Sequence, residues 1–266
     1  MPLRSRIAAQ FDRDMERCIR LATAAAACAV LALPAARAAD TDAAQYDACM
    51  KRAREVPADA RSRATQWRDQ GGGAPARHCL AVALFNLGQN EEAANLFEAL
   101  AQDSETPAAD LRAELYAQAG QAWVQAGRWE RAWKAQSAAV DLRPKDPDLL
   151  VDRALTLGSA GKYWEAIDDL NRAIDLAKDN VDALVLRASA YRRVNSLDLA
   201  AEDVERALAL QPKHVDGLLE RGMIRKAQGD LARARQDWIA VLQTRPESPA
   251  AEVARANLEQ VDLKPR

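Results

Sequence analysis

The chain has 266 residues, with 37 basic and 39 acidic side chains, for a formal net charge of −2. No basic excess points to nucleic acid. Abundant alanine, only 5% aromatic residues and only 11 glycines fit an all-helical protein.

The N-terminus reads as an export signal. Arg17 and Arg20 precede an apolar run from Leu21 to Leu33, which is followed by Ala36-Arg37-Ala38, an A-x-A cleavage site. The run is 13 residues long, short for a membrane span. Residues 1–38 are therefore expected to be a Sec-type signal peptide cut before Ala39, with Met15 as an alternative start that gives a more typical leader. An uncleaved leader anchoring the chain to the membrane is the alternative. Removing six basic and three acidic leader residues leaves 31 basic against 36 acidic ones, a net charge of −5. Cys28 resembles a lipid-attachment site poorly, because Ala25 replaces the usual leucine.

Two cysteines, Cys18 and Cys28, leave with the leader, and two remain, Cys49 and Cys79. In an oxidising compartment the economical assignment is one disulfide between them. A redox-active pair would call for the C-x-x-C spacing, which is lacking. Residues 39–73 read as a helical capping unit, with helices over 42–55 and 57–70, the second containing Trp67. Gly71-Gly72-Gly73 follows as a linker.

Beyond it the chain repeats. Helix breakers stand at Gly88, Gly127, Gly161, Asn195 and Gly229, the last four spaced by 34 residues, and five residues after each comes an alanine: Ala93, Ala132, Ala166, Ala200 and Ala234. Small residues recur earlier in each unit at Ala81, Gly120, Ala154, Ala188 and Gly222, and proline closes three units at Pro144, Pro212 and Pro246. Each unit reads as two helices. The breaker supplies a left-handed residue that ends the first, and small residues at the crossings let the pair approach closely. Larger ones such as Trp123, Leu170 and Trp238 fill the gaps. A unit of this length cannot bury its apolar face alone and must stack on its neighbours.

Residues 113–146, with Tyr116, Gly120, Trp123, Gly127, Ala132, Ala139 and Pro144, resemble the tetratricopeptide repeat (TPR) signature nearly throughout. Five such units run 74–107, 113–146, 147–180, 181–214 and 215–248. The resemblance implies an all-α, right-handed superhelical solenoid of antiparallel helix pairs. The first unit lacks its closing proline, and extra residues precede the second. Thr106–Pro107 reads as the cap and first residue of a helix lengthened to about Ala126.

Arg153, Arg187 and Arg221 each precede an aspartate by 16 residues, Asp169, Asp203 and Asp237. Three copies at one register are architecture, an interhelical ion pair, whereas a catalytic pair would occur once. Residues 249–266 close the array as a capping helix, with Glu252, Arg255, Glu259 and Gln260 on its solvent side, and a frayed Lys264-Pro265-Arg266 end.

No catalytic constellation emerges. Haem, phosphate-loop, H-E-x-x-H and G-x-S-x-G signatures are missing, so neither an enzyme nor a cofactor is expected. His78 with Cys49 and Cys79 makes a three-ligand metal set only if the disulfide does not form, so no metal is assigned. His214 reads as an inter-repeat loop residue, and Trp129, Trp133 and Trp164 as core.

In the TPR family the first helix of each unit lines a concave, partner-binding face. Carrying over the groove positions gives His78, Val82, Phe85 and Asn86, then Ala117, Gln121, Val124 and Gln125. Val151, Leu155 and Ser159 follow, then Val185, Ser189, Arg192 and Arg193, and finally Leu219, Met223 and Lys226. This is a mainly apolar strip with Arg192, Arg193 and Lys226 toward one end, suited to a protein segment with an acidic end. The carboxylate clamp of chaperone-binding members is absent, since its positions carry His78, Val82, Gln118, Asp148 and Asp152. Glu114, Asp148, Asp182 and Asp216 are expected in first turns, complementing the helix dipole. The reading is a periplasmic adaptor that binds a protein or peptide segment in envelope assembly, secretion or division. A membrane contact is expected only if the leader stays attached.

Overall fold

The computed structural model describes residues 33–103 and 108–262. Residues 1–32 of the expected leader, the Thr106–Pro107 helix start and the Lys264-Pro265-Arg266 end lie outside the described residues. Thirteen helices, and no strand, occur among the described residues. The chain divides into two compact units, residues 1–144 and 145–266. The first contains α1 (Leu33–Glu55), α2 (Pro57–Asp69), α3 (Gly73–Asn86), α4 (Asn90–Gln102), α5 (Ala109–Gln125) and α6 (Trp129–Leu142). The second contains α7 (Pro147–Ser159), α8 (Tyr163–Leu176), α9 (Val181–Arg193), α10 (Leu197–Leu210), α11 (Val215–Ala227), α12 (Leu231–Thr244) and α13 (Pro249–Asp262). Within each unit every helix packs on the next, and in the second α7, α9, α11 and α13 also touch in succession. No helix of the described residues is long and apolar enough to cross a membrane.

Two helices differ from the sequence expectation. The first begins at Leu33 instead of 42, because Pro34 is tolerated in a first turn and the alanine-rich stretch after it holds no further breaker. The second, α5, is lengthened to 17 residues but starts at Ala109 with Ala108 as its cap. Asp110 therefore occupies its first turn, and Glu114 lies a turn deeper, buried against Arg143 at 3.3 Å.

The turn inside each pair is one construction repeated. Asn195 has φ 61° and Gly229 has φ 87°. After Asn195 the Ser196 N–H reaches back to the Tyr191 carbonyl at 2.8 Å, and after Gly229 the Asp230 N–H reaches Arg225 at 2.9 Å. These are the backward bonds of a Schellman close, which needs a left-handed residue that glycine or asparagine adopts at least cost. Asp146, Asn180, His214 and Ser248, spaced by 34, cap the first helices: each side chain accepts a backbone N–H of the turn it opens. His214 is thus a cap, and its Nε2 lies 3.1 Å from Asp182 of the preceding pair.

Packing inside each pair matches small against large. A Cβ on Gly222 would sit 2.4 Å from Trp238 Nε1, and one on Gly120 would sit 2.5 Å from Gln136 Cγ. Ala154 and Ala188 hold the same register in the intervening pairs, where the residues 16 further on are Leu170 and Val204. The widest partner, Trp238, thus faces a residue without a side chain, and the alanines face aliphatic ones.

The second unit also carries a polar ladder. Arg153 binds Asp169 through Nε at 2.7 Å and Nη2 at 2.6 Å, and Arg187 binds Asp203 at the same two distances. Arg221 reaches Asp237 through Nη2 at 2.7 Å. All three aspartates are buried. The arginines also reach back one pair, Arg187 to Asn171 at 2.8 Å and Arg221 to Glu205 at 3.0 Å. The hydrogen bonds that Arg187 donates to Asp203 hold the Arg187 pKa above its ordinary value, against desolvation that works the other way. Planar guanidinium forks that bridge two helices of one pair and the pair before it fix orientation as well as charge.

In the first unit Cys49 of α1 is bonded to Cys79 of α3, with Cα atoms 6.1 Å apart. With both sulfurs in the bridge, the three-ligand metal set drops out. Next to the bridge His78 is buried. Its Nδ1 lies 2.8 Å from the Tyr46 hydroxyl and its Nε2 2.9 Å from Gln118 Oε1, so one imidazole ties α1 and α5 to α3. The Gln118 oxygen can only accept, which places the proton on Nε2 and leaves Nδ1 to receive the tyrosine O–H. Burial pushes the His78 pKa down to about 4, with the Gln118 bond opposing it.

Candidate partner-binding groove

The groove grows from the spacing of the first helices. Leu155 and Ser159 are one turn apart on α7, and Ser189 with Arg192 and Arg193 covers the facing side of α9. Between them α8 contributes Tyr163, Ala166 and Leu170. Together these residues enclose a cavity of about 380 Å³. Its floor is apolar and buried, from Ala154, Ala166, Leu170 and Ala190. On the rim Leu155 is 51% exposed. An exposed leucine at the mouth of an apolar cleft offers area that only a partner would remove from water.

The electrostatics of the rim reduce to one cation. Arg192 is committed: its Nε lies 2.5 Å and its Nη2 3.2 Å from the two oxygens of buried Glu220. Lys226 lies outside this cavity, held by Asn257 at 2.8 Å and Gln260 at 3.1 Å from α13, with its ammonium 5.8 Å from the Trp238 ring centre. Arg193 is exposed and binds a neutral group, the Tyr163 hydroxyl at 2.8 Å and 2.5 Å, with its guanidinium over that ring. Among the described residues no carboxylate pairs with it, so the groove offers one uncompensated positive charge beside an apolar floor.

The structure unites Leu155, Ser159, Ser189, Arg192 and Arg193 in this groove. Val151 is partly buried on α7 but does not line it, and Leu219 and Met223 pack partly against the core one pair further on. Phe85 and Gln121 lie in the first unit, both partly buried. Three carried-over positions are wrong for a groove: His78 is the buried node described above, and Ala117 and, on α9, Val185 are buried as well. His78 and Ala117 belong to the crowded front of the chain, where α1 packs on α3 and α5 is lengthened.

The aromatic expectation also fails. Trp129 and Trp133 are each 40% exposed and Trp164 is 60% exposed. In the second helices the core positions are Ala132, Gln136 and Ala139 on α6 and Ala166, Leu170 and Ala173 on α8. Trp133 and Trp164 stand one and two residues away from these, toward solvent, while Trp129, three residues before Ala132, is the first residue of α6. A periodicity count on the second helix alone would have placed Trp164 there.

The comparisons follow the same geometry. One tetratricopeptide repeat model matches residues 119–190 and 186–259, and another matches 80–147. No curated protein matches the chain. Among solved structures, MamA from Desulfovibrio magneticus RS-1 is 19% identical with a TM-score of 0.57, covering 66% of this chain and 97% of that one. YrrB, described as a TPR protein with an unusual peptide-binding site, is 17% identical with a TM-score of 0.53 over 72% of this chain and 96% of its own. The APC/C hetero-tetramer Cut9-Hcn1 is 17% identical with a TM-score of 0.59, over 79% and 40% of the two chains. At these identities the likeness is one of fold. The matched repeats span most of the chain, and it belongs to the tetratricopeptide repeat family.

Proposed function

We propose that this protein is an exported, non-catalytic adaptor that holds an extended segment of another protein in the α7–α9 groove. We assign its repeats to 74–107, 113–146, 147–180, 181–214 and 215–248, with residues 39–73 and 249–266 as caps. The observation that carries the reading is the apolar cleft beside Arg193. It suits an apolar side chain followed by an acidic residue or a chain-terminal carboxylate. Binding is passive. The Arg–Asp ladder and the matched helix crossings hold the groove in place before the partner arrives, which lowers the ordering cost of recognition.

The leader and the Cys49–Cys79 bridge support a periplasmic site of action, in envelope assembly, secretion or division. The competing reading is a structural subunit tethered to the inner membrane by an uncleaved leader. A photo-crosslinking amino acid at Leu155, compared with one at the exposed Leu231 of α12, tests the adaptor in intact cells. A discrete adduct at Leu155 that Arg193→Glu removes supports it; equal adducts at both positions, or none at Leu155, refute it. Recovery in the osmotic-shock fraction supports the periplasmic adaptor, and recovery only in washed inner membranes supports the tethered subunit.

A further inference from the structure

A second cavity, of about 290 Å³, lies in the N-terminal cap and is lined by Cys49, Gln45, Arg52, Arg63, Gln66 and Trp67, among others. The two bridged cysteines are unequal before it. Cys49 lines this cavity and is 8% exposed, whereas Cys79 is 0% exposed and lies among the core residues of α3. The cavity walls are also charged. Arg52 Nη1 lies 2.6 Å and Arg63 Nε 2.9 Å from the same carboxylate, Asp59. Two guanidiniums sharing one carboxylate leave a positive surplus at the mouth.

We infer that Cys49 is a thiol-exchange site: a small anionic thiol of the cysteinyl-peptide class enters this cavity and opens the Cys49–Cys79 bridge from the Cys49 side. Its thiolate attacks Cys49 Sγ, so a new S–S bond forms between the entering sulfur and Cys49 while the Cys49–Cys79 bond breaks. The electron pair of the broken bond leaves on Cys79, which takes a proton from solvent and stays in the core as a thiol. The entering thiol is the reductant and the protein disulfide the oxidant, so no other redox partner is needed. The size of the cavity suits a small molecule, near the lower end of ligand pockets, and its charge favours an anion. Exchange removes the covalent tie between α1 and α3 and marks the cap with an acidic group, leaving α1 held by the Tyr46–His78 bond and the packing of Met50 and Ala53.

The test uses the full chain and reduced glutathione, with acid quenching, alkylation of free thiols and peptide mapping by mass spectrometry. The expected product carries glutathione on Cys49 and an alkylated Cys79. Charge reversal at both Arg52→Glu and Arg63→Glu is expected to slow exchange with glutathione by about tenfold and to slow exchange with 2-mercaptoethanol, whose attacking thiolate carries one negative charge instead of two, by clearly less. Arg52→Gln with Arg63→Gln, which keeps most of the side-chain packing, gives a smaller change of the same sign. Glutathione on Cys79, no adduct at either cysteine, or equal slowing toward both thiols overturns the inference.

Discussion

Gly222→Ala isolates the small-against-large rule of the helix crossings. A methyl at this site would sit 2.4 Å from Nε1, 2.8 Å from Cδ1 and 3.0 Å from Cε2 of Trp238, a ring that is fully buried. Ordinary contact lies between 3.4 and 4 Å, so the indole or the helix must move. Overpacking of this kind costs about 1–3 kcal/mol, while replacing a mid-helix glycine by alanine returns about 0.5–1 kcal/mol. The net expectation is a loss of about 1–2 kcal/mol. In a Trp238→Leu background, which reproduces the leucine opposite Ala154, the clash is gone and the same substitution should gain about 0.5–1 kcal/mol through propensity. The two legs of the cycle therefore differ by about 2 kcal/mol. Equilibrium urea unfolding followed by far-ultraviolet circular dichroism reads all four proteins without relying on tryptophan emission. Equal costs in both backgrounds, or a gain in the native one, would show that glycine at this register has nothing to do with the indole opposite.

Three further expectations rest on other contacts. Asp203→Ala leaves Arg187 half-buried without its carboxylate and should cost about 3–5 kcal/mol, whereas Arg187→Met with Asp203→Leu should recover most of it; thermal unfolding distinguishes the two. His78 is held neutral, so its contribution is complete above pH 6.5 and is lost as the pH falls from 6.5 toward about 4. That interval corresponds to about 3 kcal/mol, and His78→Gln should flatten the fall in urea midpoint between pH 7 and pH 4. Replacing Cys49 and Cys79 by alanine releases a constraint across 30 residues of sequence and should lower stability by about 3–4 kcal/mol, measured against the oxidised native chain.

Local chemistry in the sequence carries the helix-pair architecture. The breakers at 34-residue spacing, the alanines after them and the cap residues each act within one or two turns, so their effect is legible without tertiary information. Asn195 illustrates this, since a non-glycine at that register takes φ 61° to complete the same turn. The register of Arg187 and Asp203 is also visible in sequence; the bidentate geometry and the reach back to Asn171 are not. Side-chain environments were less legible. Arg192 looks like a ligand-binding cation by position, but Glu220, 28 residues on, neutralises it. His78 looks like a groove residue, but Tyr46 of the expected capping helix bonds to it, a contact 32 residues away in sequence that the repeat frame does not specify.

By itself the sequence determined that this chain folds as stacked helix pairs and where each pair turns, because capping, left-handed residues and small-residue registers are short-range requirements. Only the tertiary structure decided which charges remain available, which sulfur of the bridge meets a cavity and where an apolar cleft opens. Those properties depend on which side chains from distant turns come within a few ångströms of one another, and a periodic pattern does not encode that.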